Sequence, residues 1–150
     1  MANSKELMDK AVESTINTLN ILGIQVEKGV QEASTSDDVV HIQIQFVGDT
    51  SGYFILEITK EFGCKIANQM LQGMMEVTSV DDMCKSVLGE VCNMISGNIS
   101  TVFSQMGYNS DIKPPLVEVR KNALNSKMGV TLSEETKGNL INTYFLVPKG

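Results

Sequence analysis

Ser86, Glu90 and Asn93 follow one another at spacings of four and three residues, which a helix gathers on one side. Their side chains can accept or donate hydrogen bonds to a partner. Gly89, Gly97 and Asn98 stand among them. Each glycine costs a helix interior about 1 kcal/mol relative to alanine, and each asparagine costs part of that. A helix built only for stability would carry Ala, Glu or Lys at these positions. The glycines remove bulk where another backbone could approach. Two readings are open: another molecule docks against this stretch, or a sheet or loop of the same domain needs the clearance.

The stretch lies in the longest amphipathic segment of the chain, Asp82–Ser104. At about 100° per residue, Val80, Met83, Val87, Leu88, Val91, Met94, Ile95, Ile99, Val102 and Met106 fill a broad apolar arc. Asp82, Ser86, Glu90, Asn93, Gly97, Ser100 and Ser104 form a narrow polar ridge opposite. Ser79 to Asp82 resembles a capping box, with Ser79 as the cap. Asp81 and Asp82 suit the helix dipole, so they are given no catalytic role. The helix is expected to stop near Gly107.

The rest of the chain must hold this helix. Asn3 or Ser4 caps a first helix through about Leu22, with Gly23 as its stop. Ile24–Val30 reads as a short strand. Val39–Val47 and Tyr53–Ile58 alternate as a hairpin around Gly48–Gly52. His41 falls on the polar side of the first of these strands and is expected to be solvated. Thr59 caps a helix over Lys60–Gln72. Met74 and Met75 extend a methionine richness that reads as core filling. Pro114 and Pro115 lead into a strand at Leu116–Arg120. Lys127–Leu132 and Leu140–Val147 complete the set, joined by a turn at 136–139. The expected fold is α+β: a largely antiparallel six-stranded sheet, helices packed on one face, and the long amphipathic helix at the centre.

The 150 residues are read as a single domain, 1–150. A net charge of −6 with no clustered Lys and Arg argues against nucleic acid as a partner. Cys64, Cys84 and Cys92 form no C-x-x-C pair, and with His41 as the sole histidine no zinc constellation is legible. Free thiols suit a reducing cytoplasm. No apolar run approaches a membrane span, and the first residues lack the apolar core of a signal peptide.

The ordered set Ser86-x-x-x-Glu90-x-x-Asn93, followed by Pro114 and Pro115, resembles the signature of the CheC/CheX/FliY phosphatases, which act on phosphorylated CheY in chemotaxis. The Gly48–Gly52 turn, Lys65–Met70, Asn93–Asn98 and Lys113–Val117 resemble the CheX branch. The likeness is clear from roughly Val39 to Val119 and looser at the two ends. It implies a cytoplasmic chemotaxis phosphatase that hydrolyses the phospho-aspartate of a CheY-like receiver. Asn93 would orient the attacking water, and Glu90 would pair with the receiver's lysine. Ser86, Gly89, Gly97 and one of Pro114 and Pro115 would belong to the docking surface. Mg²⁺ would sit on the receiver, with no cofactor on this chain. CheC carries two copies of the motif and CheX one. In the first helix, Glu13 is followed at the required spacing by Ile16, and Asn17 falls one residue too far, so one site fits CheX. The resemblance also implies a homodimer joined through the sheet, and the strand at 140–147 could supply an edge or lie buried at the centre. The alternatives are a non-catalytic receiver-binding or flagellar-switch adaptor of the same fold, and a structural dimer unrelated to signalling.

Overall fold

The computed structural model describes residues 4–28, 38–121 and 140–148. In chain order the elements are α1 (Ser4–Ile21), β1 (Val26–Lys28), β2 (Asp38–Gly48), β3 (Gly52–Thr59), α2 (Lys60–Leu71), α3 (Asp82–Gln105), β4 (Ser110–Ile112), β5 (Leu116–Lys121) and β6 (Leu140–Pro148). The strands form one sheet in the order β1-β6-β3-β2-β4, with β5 also paired to β2. Every pairing is antiparallel except that of β3 with β6.

The alternation along β2 explains the layering. Val40, Ile42, Ile44 and Phe46 are buried, and their cross-strand partners Ile58, Leu56 and Phe54 are buried with them. This face carries the helices. Phe46 meets Phe103 of α3 with ring centroids 5.6 Å apart. α1 and α2 both pack against α3, so it lies between them. From α1 the core takes Leu7, Met8, Ala11, Val12 and Leu19. Gly63 lets α2 close on this layer, because a Cβ there would stand 3.3 Å from Val40 and 3.5 Å from Leu88.

β4 and β5 run along the same side of β2, β4 beside Phe46–Gly48 and β5 beside Asp38–Gln43. Pro114 and Pro115 interrupt them, since neither has an N–H for the ladder. β4 is three residues long with a polar sequence, and no alternation announces it. The expected strand at Lys127–Leu132 and the turn after it lie outside the described residues. β6 lies between β1 and β3, so it is not a sheet edge.

Four expectations are corrected. Asp81, not Ser79, caps α3, its carboxylate accepting from the Cys84 N–H at 2.9 Å. Two consecutive good capping segments overlap here, and the one next to the first helical residue wins. Met74 and Met75 are exposed, Met74 by 85%, because they lie past the end of α2 and not under it. Met83 and Met94 are each 42% exposed, outside the core. The buried stripe of α3 runs through Cys84, Leu88, Val91, Cys92, Ile95, Ile99 and Phe103 instead, and the two methionines sit one position to its side. His41 is buried, as described below.

Asp81→Ala should lower the unfolding free energy by about 1 kcal/mol through loss of the cap, and Ser79→Ala should leave it within about 0.5 kcal/mol. Urea unfolding of the two variants distinguishes the caps.

Candidate functional site

The buried stripe fixes the rotation of α3, and the residues opposite must then face solvent. Ser86, Glu90, Asn93 and Gly97 are all exposed, and Gly89 is half-buried. From Ser86 to Gly97 the ridge runs about 16 Å along the helix axis. Among the described residues, neither the Glu90 carboxylate nor the Asn93 carboxamide has a hydrogen-bond or ion-pair partner. Asn93 is engaged only through its backbone, whose carbonyl accepts from the buried Ser96 hydroxyl at 3.2 Å.

Asn98 makes the contrast. Its amide nitrogen donates to Thr18 Oγ1 at 2.8 Å, and Thr18 donates in turn to the Ser14 carbonyl at 2.7 Å. Asn98 therefore ties α3 to α1 and explains its own presence. Asn93, five residues earlier on the same helix, has no such occupation.

The glycines are equally informative. A Cβ built on Gly89 or on Gly97 would meet nothing within 4 Å. Among the described residues, no sheet or loop of the chain uses the clearance, in contrast to Gly63. Of the two readings left open by the sequence, the domestic one loses its support here. Met83 and Met94 flank this ridge. Their exposure could not be read from an apolar arc drawn broadly enough to include them.

The C-terminal end of α3 is pinned to the sheet. Ser100 Oγ reaches the Ser110 carbonyl at 3.4 Å, and Ser110 in turn bonds Thr50 in the β2–β3 turn. Asp49 Oδ2 accepts from the Asn109 N–H at 2.8 Å. Pro114, exposed, and Pro115, half-buried, lie between β4 and β5, and both strands pack against α3. They are thus on a different element from the ridge.

His41 does not sit in solvent. It is 4% exposed, and its Nδ1 lies 3.1 Å from Glu57 Oε2, which is 2% exposed. Arg120 Nη1 donates to its Nε2 at 3.2 Å, and Arg120 also pairs with Glu118. His41, Glu57 and Glu118 stand at one register level across three strands, on the face of the sheet away from α3. The signal for this cluster was Glu57, a charge inside an apolar strand. It is remote from the ridge and is given no part in its chemistry.

The comparisons with known proteins agree with this fold. The family model for the chemotaxis phosphatase CheX matches residues 40–134. The chain is similar to the CheY-P phosphatase CheX of Thermotoga maritima, 25% identical over 130 residues that cover 84% of this chain and 83% of that protein. Its fold is similar to the crystal structure of a chemotaxis protein CheX from Desulfovibrio desulfuricans, with a TM-score of 0.63 and 25% identity over 77% of this chain and 79% of the other. It is also similar to CheX in the CheX–CheY–BeF3–Mg²⁺ complex from Borrelia burgdorferi, with a TM-score of 0.57 and 23% identity over 73% of each chain.

Because nothing among the described residues occupies the space beside them, Gly89→Ala and Gly97→Ala should each stabilise the isolated protein, by up to about 1 kcal/mol. Urea denaturation checks this, and a destabilised variant would mean that the chain itself uses the clearance.

Proposed function

The chain belongs to the CheX family of chemotaxis phosphatases, and from that premise we propose that it hydrolyses the phospho-aspartate of a CheY-like receiver at the exposed ridge of α3. The observation that carries this reading is the pair Glu90 and Asn93. They are presented to solvent one helical turn apart, unengaged by the described residues around them, beside glycines that leave room for a visitor. The naming of the Thermotoga relative as a CheY-P phosphatase supports the reaction. The Borrelia complex, in which CheX is held with CheY, supports the partner.

Phosphoryl transfer asks of a catalyst mainly positioning and charge stabilisation. In this proposal Asn93 enters the receiver's phosphorylated pocket. Its carboxamide oxygen accepts a hydrogen bond from a water and holds that water in line with the phosphorus. The amide is neutral and does not compete as a nucleophile. Glu90, one turn away, pairs with the lysine of the receiver's phosphate site and sets the register of the two proteins. Ser86 adds a supporting contact. Gly89 and Gly97 admit the receiver's loops, and Pro114 or Pro115 shapes the adjoining connection. Mg²⁺ belongs to the receiver, where it neutralises phosphoryl charge. The work takes place in the cytoplasm, and no helix among the described residues is long and apolar enough to cross a membrane. A homodimer through the sheet completes the proposal. Because β6 is interior, such pairing would use, among the described strands, the edge at β1 or the edge at β4 and β5.

Phosphorylated receiver is incubated with the protein and Mg²⁺, and loss of phosphate is followed. Asn93→Ala should slow the reaction on the order of 10²-fold, the scale for losing one positioned group, with receiver binding little changed. An unchanged rate sinks the mechanism. Glu90→Ala should weaken binding about tenfold, on the order of 1.4 kcal/mol. Wild-type affinity and rate in that variant would remove its registering role. Binding by the wild-type chain without any acceleration of dephosphorylation would favour the adaptor.

A further inference from the structure

Two of the cysteines are neighbours away from the α3 ridge. Cys84 is buried in the first turn of α3, with its Sγ 3.9 Å from the carbonyl oxygen of Gly63 in α2. The next residue of α2 is Cys64, whose thiol neighbours that of Cys84. Their surroundings differ. Cys64 is half-buried and lines an open cleft of about 970 Å³ between α2 and the segment that leads into α3. Lys60, Glu61 and Lys65 line the same cleft, and Lys60 shares its charge with Asp38 at 3.9 Å. Cys84 lies beneath. Burial first, then the neighbouring Cys64 sulfur and the Asp81 carboxylate, push its thiol up to about 11. Cys92 is also buried, and burial alone pushes it up to about 12.

This arrangement is asymmetric. One sulfur is open to reagents that enter the cleft, and the other is withheld from them and lies behind the first. Thiol–disulfide exchange proceeds by attack of a thiolate on a disulfide through a mixed disulfide, and access decides which cysteine reacts first. We propose that Cys64 and Cys84 form a redox modification site that takes a low-molecular-weight disulfide as its reactant. Cys64 gives up its proton and attacks one sulfur of the incoming disulfide. A mixed disulfide forms on Cys64 and one small thiol leaves. Cys84 then loses its proton and attacks the Cys64 sulfur. The Cys64–Cys84 bond forms and the second small thiol leaves. Two protein thiols are oxidised and one small disulfide is reduced to two thiols, so electrons and protons balance.

The closed bond would join α2 to the first turn of α3, two residues before Ser86. Cys84 is the resolving thiol because it is buried behind Cys64, which alone of the two lines the cleft. Neither step uses Glu90 or Asn93, so the inference stands apart from the phosphatase reading.

The reduced full-length chain is incubated with oxidised glutathione, the remaining thiols are alkylated, and the products are mapped by peptide mass. The expected product carries a Cys64–Cys84 linkage, with Cys92 alone alkylated, and dithiothreitol reverses it. Cys92→Ser should close as readily as the wild type. Cys84→Ser should stop at a glutathione adduct on Cys64, and Cys64→Ser should leave the remaining thiols unreacted. The proposal is overturned if all three cysteines of the wild type stay alkylatable, if Cys64 keeps glutathione without closing, or if the bond forms between two chains. Because the wild-type map is read directly, failure of a variant to fold leaves the test intact.

Discussion

The rotational setting of α3 is the constraint on which the rest depends. Its buried stripe, from Cys84 through Leu88, Ile95 and Ile99 to Phe103, is held by the sheet on one side and by α1 and α2 on the flanks. Turning the helix by half a turn, about 180°, would expose that stripe and bury Glu90 and Asn93 without partners. Apolar burial on one side therefore dictates what the other side presents. Among the described residues, nothing bonds the side chains of Glu90 and Asn93, and the helix that carries them is positioned from behind.

Local cost is concentrated where the helix faces outward. Gly89, Asn93 and Gly97 are weak helix formers, and α3 tolerates them because tertiary packing, not propensity, stabilises a helix of this kind. Asn98 is a similar residue, yet its bond to Thr18 gives it a structural task. Gly63 likewise answers to packing, since Val40 and Leu88 crowd it. The residues of the ridge have no counterpart to either explanation. A position that weakens its own element and contacts nothing is where function is to be sought.

The sheet shows a second use of polar groups. His41, Glu57 and Arg120 form a bonded cluster on the face away from the helices, and His41 and Glu57 are almost wholly buried. Alternation along β2 correctly put His41 on the face opposite the core, but alternation assigns a face and not an exposure. The cross-strand level that brings His41 beside Glu57 and Glu118 comes from the register of three strands, one of them 77 residues later in the chain.

Periodicity alone determined the helices, the β2–β3 hairpin and the ridge that carries Ser86, Glu90 and Asn93, because each of these depends on neighbours within one element. The Thr59 cap of α2 is of the same kind, a side chain accepting from a backbone N–H three residues on at 3.1 Å. Tertiary structure decided what local pattern leaves open. It settled which of two capping segments starts α3, the parallel pairing that sets β6 inside the sheet, the exposure of Met83 and Met94, and the burial of His41. It also decided that no described residue fills the space beside Gly89 and Gly97. Each of these turns on what another part of the chain brings alongside, and the spacing of residues within one segment carries no record of that.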